Sequence, residues 1–203
     1  IKRFARDSFV VVITNPLDAM TWLMQKVTGI PTYRVVGMAG VLDTGRYRAC
    51  LAQELNVSTS SISAMVFGGH GDSMVPIRSF TACKGIPVER LVKKEKLDAI
   101  EDHVRNAGGE IVKLLKTGSA FYSPAAAAIQ MVEAYLHDRK KVMAASAYCN
   151  GQYGVNGFYF GVPVVMGIQG VERIFDMELP PSDLEALKRS VKEVEETIAM
   201  IEV

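Results

Sequence analysis

A chain of 203 residues with 49% hydrophobic content is long enough to bury a sizeable core, in one large domain or one and a half small ones. Its 23 Lys and Arg against 22 Asp and Glu leave a formal charge of +1, which argues against nucleic acid or an anionic membrane as partner. Cys50, Cys83 and Cys149 are odd in number, far apart and without CxxC spacing, which argues against a disulfide framework and a structural zinc site.

No apolar run reaches the roughly 20 residues needed to span a bilayer, and no signal-peptide pattern opens the chain. The expectation is a soluble, cytoplasmic protein. The chain starts at Ile1 without a methionine and runs through Asp7 straight into a buried-looking strand, as though cut from the end of a helix. This reads as part of a longer protein.

Phe9 to Ile13 is a continuous β-branched and aromatic run without polar alternation, the pattern of a strand covered on both faces of a parallel sheet. Asn15 as N-cap and Pro16 at the first helical position predict a helix through Leu17, Met20, Leu23, Met24 and Val27 to Gly29. Arg34 to Gly37 is a second short strand, and strand, helix, strand implies a right-handed crossover between parallel strands. Ligands in such sheets bind at the carboxyl ends of strands, where Asn15 and the segment Gly37 to Gly40 lie.

Asp43 or Thr44 is expected to cap a helix with Arg46 in its first turn, running toward Leu55. Ser61 to Phe67 reads as one strand that delivers Gly68 and His70 to a loop. Leu97, Ile100, Val104, Ile111, Leu114 and Leu115 recur at helical period, interrupted at Gly108-Gly109. A further helix is expected from Pro124, capped by Ser123, through Ile129, Val132 and Leu136.

Val142 to Tyr148 and Phe158 to Met166 read as strands around a Gly-rich turn region at Asn150 to Gly154, with Pro163 suiting an edge or a bulge. Ser182 and Glu185 form a capping-box pattern ahead of Leu184, Leu187, Val191, Val194, Ile198 and Ile201, a stripe expected to lie on its own domain.

One of only three histidines, His70, stands between glycines in Gly68-Gly69-His70-Gly71-Asp72, where bare backbone lets a substrate approach the imidazole. Taken alone it could be a turn residue, a metal ligand or a proton carrier. Asp43 and Arg46, three residues apart, supply a carboxylate that could orient a histidine and a guanidinium that could clamp an anion. The same pair could be an intrahelical ion pair worth a few tenths of a kcal/mol, and Asn15 could be only a cap. His103 and His137 have no ligand at obvious spacing to His70, so no metal site is expected.

The order and wording of three segments, Ile13 to Asp18, Gly37 to Arg46 and Gly68 to Pro76, closely resemble the lactate/malate dehydrogenase superfamily. Gly118-Ser119-Ala120-Phe121-Tyr122-Ser123-Pro124-Ala125, Gly151-Gln152-Tyr153-Gly154 and Phe160 to Val164 extend the resemblance over the whole chain, in the wording of bacterial malate dehydrogenases that are lactate-dehydrogenase-like. The resemblance implies an α/β fold, with residues 1–40 the remnant of a doubly wound parallel Rossmann sheet and residues 41–203 an α+β substrate and catalytic domain.

It also implies NAD as cofactor, a small dicarboxylate (malate or oxaloacetate) as substrate and a homodimer or homotetramer as the assembly. By the same resemblance His70 is the proton acceptor, Asp43 the carboxylate that orients it and Arg46 the clamp on the substrate carboxylate. Asn15 would hydrogen-bond substrate, Ile13, Thr14 and Asn15 would line the nicotinamide end, and Ser119 and Ala120 the substrate pocket. Lactate dehydrogenases of this family usually carry threonine where this chain has Ala120, which favours malate.

The chain departs from the family in having no GxGxxG after an early strand, no acidic residue some 20 positions beyond it and no specificity loop with its two arginines. As written it is not expected to bind NAD normally. A lactate-type oxidoreductase, and a catalytically silent folding or association module, are the competing readings.

Overall fold

The computed structural model describes residues 1–201. In chain order the elements are β1 (Val10–Val12), α1 (Leu17–Thr28), β2 (Val35–Gly37), α2 (Gly40–Leu55), β3 (Ile62–Ser63), β4 (Val66–Phe67) and β5 (Val75–Pro76). They continue with β6 (Ala82–Cys83), β7 (Ile86–Pro87), α3 (Lys94–Leu115), α4 (Tyr122–Leu136), β8 (Lys141–Asn150), β9 (Asn156–Gly167), β10 (Gly170–Ile174) and α5 (Pro181–Ala199).

The main sheet has the order β1-β2-β8-β9-β10. β1 and β2 pair in parallel, Val10 opposite Val35 and Val12 opposite Gly37, with α1 as the crossover. Both strands lack polar residues because both faces are covered: Val35 and Val36 are fully buried. β2 then meets β8 antiparallel at Gly37 and Ser146, so one sheet joins the parallel unit to the later hairpin of β8 and β9. This mixed α/β architecture is the fold class that the sequence implies.

Several local expectations are corrected. α1 starts at Leu17, after a cis Asn15–Pro16 peptide, and Asn15 is not its cap. α2 starts at Gly40, ahead of both proposed caps, because Gly40 fits against Ala144 of β8 and the Val66 carbonyl where a side chain would collide. Thr44 Oγ1 instead accepts a hydrogen bond from the Val66 amide, 3.1 Å away, tying β4 to α2. The segment Ser61 to Phe67 is two strands: Ile62–Ser63 pairs with β6, Val66–Phe67 with β5, and no single partner spans both.

α3 passes through Gly108-Gly109 unbroken. Its buried apolar residues are Leu97, Ile100 and Val104, while Leu114 is 82% exposed. α4 begins at Tyr122, so Ser123 and Pro124 lie inside its first turn, and it buries the slimmer face of Ala127, Met131 and Ala134 rather than Ile129, Val132 and Leu136. Small residues allow the helix to approach β9 closely.

Pro163 sits in an inner strand opposite Ala144. Its carbonyl accepts from the Phe175 amide at 2.9 Å, so its missing N–H faces the end of β10 and the ladder to β8 loses nothing. α5 starts at Pro181 with Pro180 as N-cap, so the Ser182 capping box does not form. Its stripe does pack on the core, with Leu187 and Val194 buried and Val191 and Ile198 partly so.

Candidate active site

Three consecutive amides of the histidine loop are each held by a different element. The Gly68 N–H donates to the Gly161 carbonyl of β9 at 2.9 Å, the Gly69 N–H to Ser190 Oγ of α5 at 2.8 Å, and the His70 N–H to Asp18 Oδ2 of α1 at 2.9 Å. Gly68 takes a φ of 89°, in the left-handed region that suits glycine. The loop is thus fixed by backbone before its side chain does anything.

Gly161 makes this docking possible, since a methyl group there would overlap the Gly68 carbonyl oxygen. Gly161→Ala is expected to destabilise the protein by about 1–3 kcal/mol through overpacking. Denaturant unfolding checks this, with wild-type stability as the contrary result.

The imidazole points its Nδ1 at Asp43 Oδ2, 2.8 Å away. Asp43 is 1% exposed in α2, and its other oxygen lies 3.5 Å from Arg46 Nη1, an ion-pair distance without hydrogen-bond alignment. The helical spacing predicted from the sequence therefore does put Asp43 and Arg46 together, on the face that meets His70. Burial disfavours the charged form of His70, but the hydrogen bond and charge of Asp43, with the charge of Asp18, outweigh it, and His70 titrates above its ordinary value of 6.5.

A cleft of about 240 Å³ opens beside the ring, lined by Pro16, Asp18, Gly69, His70, Asp72 and Glu193 among others. Ile13, Thr14 and Asn15 form the exposed loop at the carboxyl end of β1, which leads directly into Pro16 at the cleft wall. Ser119 and Ala120 lie on the connection between α3 and α4, outside the lining of this cleft. Helix α3 also runs past Arg46, with Gly108 facing its Nη1.

Asp18 was not singled out by sequence reasoning, although it closes the Ile13 to Asp18 segment. It is 5% exposed, in the first turn of α1, and its Oδ1 accepts from Ser146 Oγ of β8 at 2.6 Å. The available signal was an acid in the otherwise apolar opening of a helix directly after a strand end, where ligands bind. Among the described residues no group of three or more His, Cys, Asp or Glu is placed to hold a metal ion, and no helix is long and apolar enough to cross a membrane.

An α/β protein whose histidine is hydrogen-bonded to a buried carboxylate, with an arginine on the same helix, is equipped for proton transfer beside an anion. The chain belongs to the lactate/malate dehydrogenase family, whose alpha/beta C-terminal domain matches residues 40–202.

It is 53% identical over 199 residues to malate dehydrogenase 1 of Anaeromyxobacter dehalogenans (strain 2CP-C), covering 98% of this chain and 64% of that one. Among solved structures it matches the apo malate dehydrogenase of Picrophilus torridus with a TM-score of 0.95 at 45% identity, covering 98% of this chain and 63% of that one. It matches equally well, at TM-score 0.95 and 45% identity over 98% and 64% of the two chains, the lactate dehydrogenase of Cryptosporidium parvum complexed with lactic acid and nicotinamide adenine dinucleotide. The chain thus spans somewhat under two thirds of the length of these relatives.

Proposed function

We propose that this chain is the proton-transfer and substrate-clamping part of an NAD-dependent malate dehydrogenase, which oxidises (S)-malate to oxaloacetate. The observation that carries the proposal is the His70 Nδ1 to Asp43 Oδ2 hydrogen bond of 2.8 Å beside Arg46. That intact cluster supports a catalytic role over a silent folding module.

With Nδ1 engaged by Asp43, Nε2 is the nitrogen left to take the hydroxyl proton, and Asp43 stabilises the imidazolium that results. Arg46 offers a planar, permanently charged fork to the carboxylate next to the reacting carbon. The loop Ile13, Thr14 and Asn15 suits the nicotinamide end of the cofactor: it lies at a strand's carboxyl end, and Ile13 presents an apolar side chain that is 47% exposed. A nicotinamide held by this loop would supply the hydride acceptor for the carbon that bears the hydroxyl. Asn15 is assigned to hydrogen-bond substrate, and Ser119 and Ala120 to its pocket.

Ala120 favours malate over lactate, and the high identity to a malate dehydrogenase supports the same choice. The full-length protein is expected to prefer oxaloacetate over pyruvate by about tenfold or more in kcat/KM with NADH; preference for pyruvate would transfer the assignment to lactate dehydrogenase. The large apolar side chains left open on α3 and α4, Leu114, Tyr122, Ile129 and Leu136, support assembly into a homodimer or homotetramer.

A further inference from the structure

Asp18 is a buried acid with no part in the mechanism above, yet both its oxygens are committed. One accepts the His70 amide at 2.9 Å, the other the Ser146 hydroxyl at 2.6 Å, and these partners are 52 and 128 residues away in sequence. We infer that Asp18 is a positioning residue for His70: an ionised carboxylate that clamps the histidine backbone to α1 and β8 and places a second negative charge beside the imidazole. This inference rests on the reading of His70 as the proton acceptor.

Asp18 and Asp43 hold different parts of one residue. Asp43 fixes the ring through Nδ1, whereas Asp18 fixes the main chain from which the ring hangs. Because Asp18 lies in the first turn of the helix that follows the Ile13 to Pro16 loop, the proposed substrate and nicotinamide loop and the proton acceptor share one anchor. A small displacement of that anchor moves the acceptor relative to the reacting carbon, and such misplacements are costly to turnover.

The ionised form is supported by the donors and by position. Burial, with the charge of Asp43, holds Asp18 above the ordinary carboxylate value, while the Ser146 hydroxyl, the His70 amide and the charge of His70 oppose that rise without cancelling it. A place in the first turn of α1 adds the favourable end of the helix dipole. The charged groups acting on the imidazole are then Asp18 from α1 and Asp43 and Arg46 from α2, while Asp72 from its own loop and Glu193 from α5 line the same cleft.

The test compares two substitutions in the full-length protein. Asp18→Asn keeps an acceptor for the His70 amide and can donate to Ser146, but removes the charge; Asp18→Ala removes both. The His70 ring proton is followed by NMR against pH, with His103 and His137 as internal references. In Asp18→Asn the His70 midpoint is expected to move to lower pH, carrying the acid limb of kcat/KM for malate oxidation with it. Asp18→Ala is expected to lower kcat on the order of 10²-fold with less change in KM, and Asp18→Asn to recover most of that loss.

An unmoved His70 midpoint in Asp18→Asn, or turnover in Asp18→Asn as poor as in Asp18→Ala, would overturn the inference. If Asp18→Ala does not fold, the Asp18→Asn titration decides alone. Failure of the underlying reading looks different: His70→Asn would retain turnover while the His70 midpoint of Asp18→Asn still moved.

Discussion

Replacing His70 with Asn is expected to lower kcat of the full-length protein by about 10²–10⁴-fold, the range over which a positioned acid–base group contributes. Asparagine has no group that takes up a proton near neutral pH, so the hydroxyl proton loses its acceptor. The loop itself should survive the change. Its three anchors are backbone amides, those of residues 68, 69 and 70, and none uses the imidazole. Steady-state rates with malate and with oxaloacetate, alongside an NADH-binding titration, check this. Lost turnover with cofactor binding largely retained is the expected pattern, and turnover near wild type would remove His70 from its role.

Asp43→Asn is the second large effect, on the order of 10²-fold in kcat, because an amide can accept from Nδ1 but does not stabilise the imidazolium. Its signature is in the pH profile. Asp43 opposes the effect of burial on His70 and raises its titration above the ordinary value of 6.5. Without that charge His70 titrates lower. Malate oxidation needs the neutral ring, so its acid limb should move to lower pH; oxaloacetate reduction needs the protonated ring, so its alkaline limb should also move to lower pH.

Stability follows the same sign. A raised His70 contributes stability that is fully present below its unfolded value near 6.5 and is lost as pH rises through the folded value. The loss of thermal stability in Asp43→Asn should therefore be larger below pH 6.5 than at alkaline pH. A profile and a stability gap that ignore the substitution would contradict the His70 and Asp43 pairing in solution.

Much of the site was legible in sequence because it is written in short segments. Asp43 and Arg46 lie one helical turn apart, and the glycines around His70 announce an unusual backbone beside a reactive ring. Asn15 before Pro16 looked like a cap, and Ser182 before Glu185 like a capping box, but neither helix starts where its local signal lies. In α2 the start was decided by contact, since Gly40 fits against β8 and Thr44 was drawn to β4. The larger apolar residues of α4 stayed outside because its alanines allowed the closer packing.

By itself the sequence determined the residue types of the chemistry, the parallel β1-α1-β2 unit and the α/β class, since each depends on neighbours within a turn, a strand or one crossover. Only the tertiary structure decided that His70 hangs from three elements and that Asp18 and Ser146 stand behind it. Those contacts join residues 52, 121 and 128 positions apart. Local propensity carries no trace of such pairings; they arise when burial of the sheet faces brings α1, β8, β9 and α5 around one loop, and its amides must find partners away from water.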